Sequence, residues 1–147
     1  MNRLQAIRPF GQRVWLDNLS AELIASGELA RLVAEDGIAG VTSNPAIFYK
    51  AISSDARYRT RLNALRGRGL DAEGNYEEIV IPDVQAACDL LQNVYRTSNG
   101  DDGYVSLEVS PHLADDLDGT LASARDLWQR VARPNLMIKV PATTPGI

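Results

Sequence analysis

Hydrophobic and polar positions along the chain fall into two patterns that take turns. Short apolar runs at 14–17, 38–43, 104–109 and 135–140 are bounded by glycine, proline or asparagine, and each predicts a strand buried in a parallel sheet. Between them, apolar residues recur at three- and four-residue spacing, the period of a helix with one buried face. Leu23, Ile24, Leu29, Leu32 and Val33 predict a helix starting near Ala21, with Asn18 or Ser20 as its cap, divided at Gly27 and ended by Gly37. Asn44-Pro45 predicts a capped helix start, with Ile47, Phe48 and Ala51 on its inner face. A further helix is expected from the stretch 53–55 to Gly67 or Gly69, then a polar loop over 67–75. Asn75-Tyr76-Glu77-Glu78 resembles a capping box, and Pro82 is expected to break or restart the helix it opens. Val84, Ala87, Cys88, Leu91, Val94 and Tyr95 continue the helical period up to a turn at 98–103. The last helix, entered through 115–119, is expected to place Leu121, Ala124, Trp128 and Val131 inward before Arg133-Pro134 ends it.

This strand–helix alternation implies parallel strands joined by right-handed crossovers. Doubly wound sheets and (β/α)8 barrels share it, and no Gly-x-Gly-x-x-Gly follows the first strand to favour dinucleotide binding.

Composition narrows the classes. The 147 residues, 45% hydrophobic and 23% charged, suit one soluble globular domain spanning 1–147. A net charge of -4 speaks against a nucleic-acid surface, and the cluster Arg57, Arg59, Arg61, Arg66 and Arg68 reads as the solvated face of a helix. The single cysteine, Cys88, excludes an internal disulfide and sits among core positions. No apolar run reaches membrane-spanning length, and residues 1–5 hold no signal-peptide core, so a cytoplasmic protein without membrane partners is expected.

One charge is out of place. The chain has thirteen arginines and two lysines, Lys50 and Lys139, and Lys139 ends the fourth apolar run. Unlike arginine, a lysine can be made a neutral, nucleophilic amine by its surroundings, which points to a Schiff base. Asp17, Asn44 and Glu108 stand at or just after the ends of the other three runs. Asp17 and Asn44 could be plain helix caps, and Lys139 could reach out to solvent; Glu108 has no such capping role. Together they make chemical sense. An amine forms an iminium with a ketone, and two carboxylates divide the proton transfers and the carbinolamine steps, while an amide orients a hydroxyl.

These residues sit in motifs that resemble the transaldolases. Gly40-Val41-Thr42-Ser43-Asn44-Pro45-Ala46-Ile47-Phe48 resembles that family's second-strand signature. Ser106-Leu107-Glu108-Val109-Ser110-Pro111 with Leu113-Ala114-Asp115-Asp116 resembles its third. Asn135-Leu136-Met137-Ile138-Lys139-Val140-Pro141-Ala142-Thr143 resembles the segment with its Schiff-base lysine, and Trp15-Leu16-Asp17 the first-strand aspartate. The resemblance implies a (β/α)8 TIM barrel of the pentose phosphate pathway that moves a dihydroxyacetone unit from sedoheptulose 7-phosphate to glyceraldehyde 3-phosphate. It implies no metal or organic cofactor. It makes Lys139 the Schiff-base residue, Asp17 the general acid/base, and Glu108 the group that positions the catalytic water. Asn44 and Thr42 would hold the donor's hydroxyls. A related fructose-6-phosphate aldolase is the alternative. A full barrel needs ~250 residues, so the expectation is the N-terminal half, with about the first four βα units. That half alone is expected to be inactive, with Lys139 too exposed to act. Self-association through its unpaired edges is also expected.

Overall fold

The computed structural model describes residues 2–147. Four strands, β1 (Trp15–Asp17), β2 (Gly40–Thr42), β3 (Tyr104–Glu108) and β4 (Leu136–Lys139), form one parallel sheet in the order β1-β2-β3-β4. The helices are α1 (Ala21–Ala25), α2 (Glu28–Arg31), α3 (Pro45–Ser54), α4 (Ala56–Leu65), α5 (Ala72–Thr97) and α6 (Leu117–Val131). A π turn over Leu32–Asp36 continues α2 and ends at Gly37, whose left-handed backbone closes it. Every expected strand is present, each trimmed at one end or both.

Sequential strand order with right-handed crossovers puts the helices on one side of the sheet. Alternation along each strand then sorts the side chains. Val41, Val105, Leu107 and Leu136 face the helices and are at most 2% exposed; Leu16 and Ile138 pack beside them. Phe48, Ile79, Val80, Val84, Leu91, Leu127 and Val131 meet them from the helices. The sheet is thus singly wound, which separates it from the doubly wound alternative. Its two edges, β1 and β4, have one strand neighbour each, so it is open.

Local capping chemistry explains most helix starts. Ser20 Oγ accepts from the Leu23 N–H, and Asn44 Oδ1 from the Ile47 N–H, with Pro45 in the first turn of α3. Asp55 and Asp116 cap α4 and α6 in the same way.

Three expectations are corrected. The helix expected to open at Asn75 opens at Ala72, because Asp71 accepts from the Gly74 N–H three residues ahead. The Asn75 amide instead donates back to the carbonyls of Leu70 and Asp71. Pro82 does not break α5, which runs unbroken for 26 residues. Its ring is exposed, while Ile79, Val80, Ile81 and Val84 on either side are buried, and that packing outweighs one lost backbone bond. In α6 the inner stripe is Thr120, Leu127 and Val131; Leu121 and Trp128 face outward at 42% and 47% exposure, lining with Ile138 a shallow apolar cleft beside β4.

The arginine cluster is mostly solvated, as expected, but Arg61 turns in to the buried carboxylate of Asp83. Cys88 is fully buried, and burial pushes its thiol up to about 12, so it stays protonated and inert. Among the described residues no helix is long and apolar enough to cross a membrane.

At the N-terminal end of the sheet, Asn135 is fully buried. Its amide donates to Cys88 O at 2.9 Å and to Gly103 O at 2.8 Å, while the Gly103 N–H donates to Ala39 O at 2.6 Å. These bonds join α5 and the entries to β2, β3 and β4. Stability is built at this end, leaving the opposite end for loops and polar groups.

Candidate functional site at the strand ends

The register fixes which side chains share a face. Asp17, Thr42, Ser106 and Met137 stand in one row across the sheet; Glu108 and Lys139 stand together two residues further along β3 and β4. Their parity places all six opposite the helix-packed side. Asn44 lies just past β2 in the first turn of the βα connection.

Two pairs form. The Thr42 hydroxyl donates to Asp17 Oδ1 at 2.6 Å. The Lys139 ammonium donates to a Glu108 carboxylate oxygen, with the two side chains 43% and 27% exposed. Lys139 is therefore neither loose in solvent nor enclosed. The pairs are not brought together: β1 and β4 are three strand spacings apart, ~14 Å along the sheet. Asn44 is a helix cap through its Oδ1, which leaves its amide N–H groups to point elsewhere. The bland and the functional readings of that residue are compatible.

Two features of this face escaped the sequence reading. Ser106 is 3% exposed, and its Oγ has no hydrogen-bond partner among the described residues. The signal was present, since Ser106 and Glu108 alternate with apolar residues in β3 and so share a face. A buried hydroxyl without a partner costs about 1–3 kcal/mol. Ser106→Ala is accordingly expected to raise unfolding stability by about 1 kcal/mol, read as a higher urea midpoint at unchanged slope; a lower midpoint would show that the hydroxyl is satisfied. The second feature is Gly40. A Cβ there would sit 2.5 Å from Trp15 Cδ2, so the indole lies across the bare backbone of β2. Only glycine leaves that room.

Glu108 also lines a cavity of about 570 Å³ with Tyr49, Tyr76 and Leu107, between α3, the first turns of α5 and the loop after β3. Burial, with the charges of Glu108 and Glu77, pushes the Tyr76 phenol up, so it stays protonated beside the carboxylate. Among the described residues no group of three or more His, Cys, Asp or Glu side chains is placed to hold a metal ion. The arrangement offers a primary amine touching a carboxylate, and a second carboxylate fixed by a hydroxyl. Such groups can form and hydrolyse imines and move protons.

The family model described as Transaldolase/Fructose-6-phosphate aldolase matches residues 14–147. Transaldolase of Thiobacillus denitrificans is 50% identical over 147 residues, which cover all of this chain and 41% of that protein. Transaldolase 2 of Nostoc punctiforme is 47% identical over 146 residues, covering 99% of this chain and 38% of the relative. Transaldolase of Neisseria gonorrhoeae is 48% identical over 147 residues, or 42% of its length. The chain thus spans about two-fifths of the length of the relatives it matches, in their N-terminal part.

Proposed function

Because the chain belongs to the transaldolase/fructose-6-phosphate aldolase family, we propose that it carries the amine and both carboxylates of a ketose-cleaving site. In this reading its four βα units are part of a (β/α)8 barrel, and the polar face of the sheet looks into the barrel. Curvature then brings β1 and β4 toward each other across the interior, so that the Asp17–Thr42 and Glu108–Lys139 pairs converge on one substrate.

The observation that carries the reading is the Lys139–Glu108 contact on the uncovered face. The ammonium has a carboxylate beside it that can take a proton. The neutral amine then attacks the C2 carbonyl of a ketose phosphate to form a carbinolamine. Loss of water, positioned by Glu108, gives the iminium. Asp17, held by Thr42, removes the proton from the C4 hydroxyl as the C3–C4 bond breaks. An aldose phosphate leaves, and the dihydroxyacetone unit stays on Lys139 as an enamine. Addition to an acceptor aldehyde reverses these steps, with Asp17 returning the proton. Asn44 offers its amide to the donor's hydroxyls, and Thr42 lies in reach of the same groups.

The intact protein, given sedoheptulose 7-phosphate and glyceraldehyde 3-phosphate, is expected to yield erythrose 4-phosphate and fructose 6-phosphate, measured by coupled enzymatic assay. Free dihydroxyacetone from fructose 6-phosphate without acceptor would replace transfer by simple aldol cleavage. No product from either substrate would defeat both versions.

A further inference from the structure

Three helices, α3, α4 and α5, join β2 to β3, where a βα unit needs one. The crossover packing falls to α5, which buries eight residues against the sheet and its neighbours. The role of α4 is less evident: it has ten residues, and Tyr58 is the one it buries.

What Tyr58 touches is specific. Its hydroxyl accepts from the backbone N–H of Ala21 at 2.7 Å and donates to Asp83 Oδ2 at 2.7 Å. Asp83, whose side chain is 2% exposed, takes Arg61 on its other oxygen at 2.8 Å. Arg61 also donates to Ile79 O at 2.9 Å and lies over the Tyr58 ring. One residue before Tyr58, Arg57 pairs with Glu22 and, at 2.8 Å, with Asp55. So α4 holds two consecutive residues of the first turn of α1, Ala21 through a buried bond and Glu22 through a surface one. The Ala21 N–H is a donor that α1 cannot satisfy itself. Asp83 is anchored in mid-α5, so the grip is referred to the longest helix in the domain.

Ala21 stands four residues after Asp17. Between them Leu19 is fully buried, and Ser20 spends its hydroxyl on the cap of α1. Asp17 itself ends a strand of only three residues, which pairs with β2. Among the described residues Thr42 is its one side-chain hydrogen-bond partner. A three-residue strand does not by itself locate its last side chain closely, and the short connection to a clamped helix start does.

We infer that α4 is a clamp on the β1–α1 connection, and that Tyr58 and Asp83 are positioning residues for the Asp17 carboxylate. The inference rests on the proposed function for what Asp17 does, though not for where the clamp holds it. Misplacing a reacting group by 1 Å can cost about 10²-fold in rate.

The test compares Tyr58→Phe, which keeps the ring and removes both hydrogen bonds, with Arg57→Gln, which loosens the exposed grip alone. Both are made in the intact protein. Tyr58→Phe is expected to move the Asp17 13Cγ NMR resonance and to lower kcat about tenfold. KM for the ketose and borohydride trapping at Lys139 should be unchanged within twofold. Arg57→Gln should shift the same resonance less. A folded Tyr58→Phe protein, by circular dichroism, with the parental Asp17 resonance would overturn the clamp. So would a fall in kcat that only tracks the folded fraction. If the parent shows no turnover, the functional reading fails while the resonance still decides the clamp.

Discussion

Lys139→Arg is expected to abolish borohydride-dependent labelling by fructose 6-phosphate and to lower transfer activity by about 10⁴-fold or more. Arginine is the informative replacement. It keeps the positive charge and can keep the ion pair with Glu108, so electrostatics and local packing stay close to the parent. What it loses is a nitrogen that can be neutral, because a guanidinium stays protonated and cannot add to a carbonyl. Removing the amine with alanine would also leave Glu108 unpaired and confound two effects. Within residues 1–147 Lys50 is the only other lysine, and it serves as the internal comparison. Peptide mass spectrometry after reduction should place the sugar adduct on Lys139 in the parent and nowhere in Lys139→Arg. An adduct on Lys50, or an undiminished adduct in the variant, would remove Lys139 from the mechanism.

Gly103→Ala is expected to cost about 3–4 kcal/mol, close to 10 °C in melting temperature for a domain of this size. Gly103 has φ +87°, a left-handed backbone that L side chains resist. The added Cβ would also lie 2.7 Å from Tyr95 Cα, which is backbone of α5 and cannot swing aside. Relief requires the turn to open, and that breaks the Gly103 bonds to Ala39 and Asn135 at the base of the sheet. Gly100→Ala is the control. It has a similar φ of +84°, but its nearest neighbour would be at 3.6 Å, so the expected loss is about 1 kcal/mol. Equal losses in thermal melts would show that backbone conformation alone matters and that the contact with α5 does not.

Features that depend on a few consecutive residues were readable in the chain. The caps at Ser20 and Asn44, the breaks at Gly27 and Gly37, and the four strands follow from short-range chemistry. The placement of Asp17, Thr42, Glu108 and Lys139 on one face follows from strand period once the register is known. Features set by distant partners were not readable. Pro82 stays helical because of what surrounds it, and the inner stripe of α6 is chosen by the sheet it covers, one step round from the expected one. Ser106 is notable only because its hydroxyl lacks a partner among the described residues. Tyr58 and Asp83 are twenty-five residues apart and look unremarkable in line; only the folded chain brings them to Ala21. The grouping of the site residues into two pairs also belongs to three dimensions. Sequence order puts one polar residue on each strand, and the sheet groups them two by two.

The two tryptophans fall on opposite sides of this architecture. Trp15 lies across Gly40 on the face that carries the candidate site, one turn of the pleat below Asp17. Trp128 stands half-exposed on the outer stripe of α6, beside the open edge of β4. The molecule therefore contains two native fluorophores with separate duties. Emission from Trp15 is expected to respond to what arrives at the strand ends, and emission from Trp128 to what packs beside α6 and β4. Within residues 1–147, replacing either one by phenylalanine leaves the other as the single indole reporter, with no dye attached.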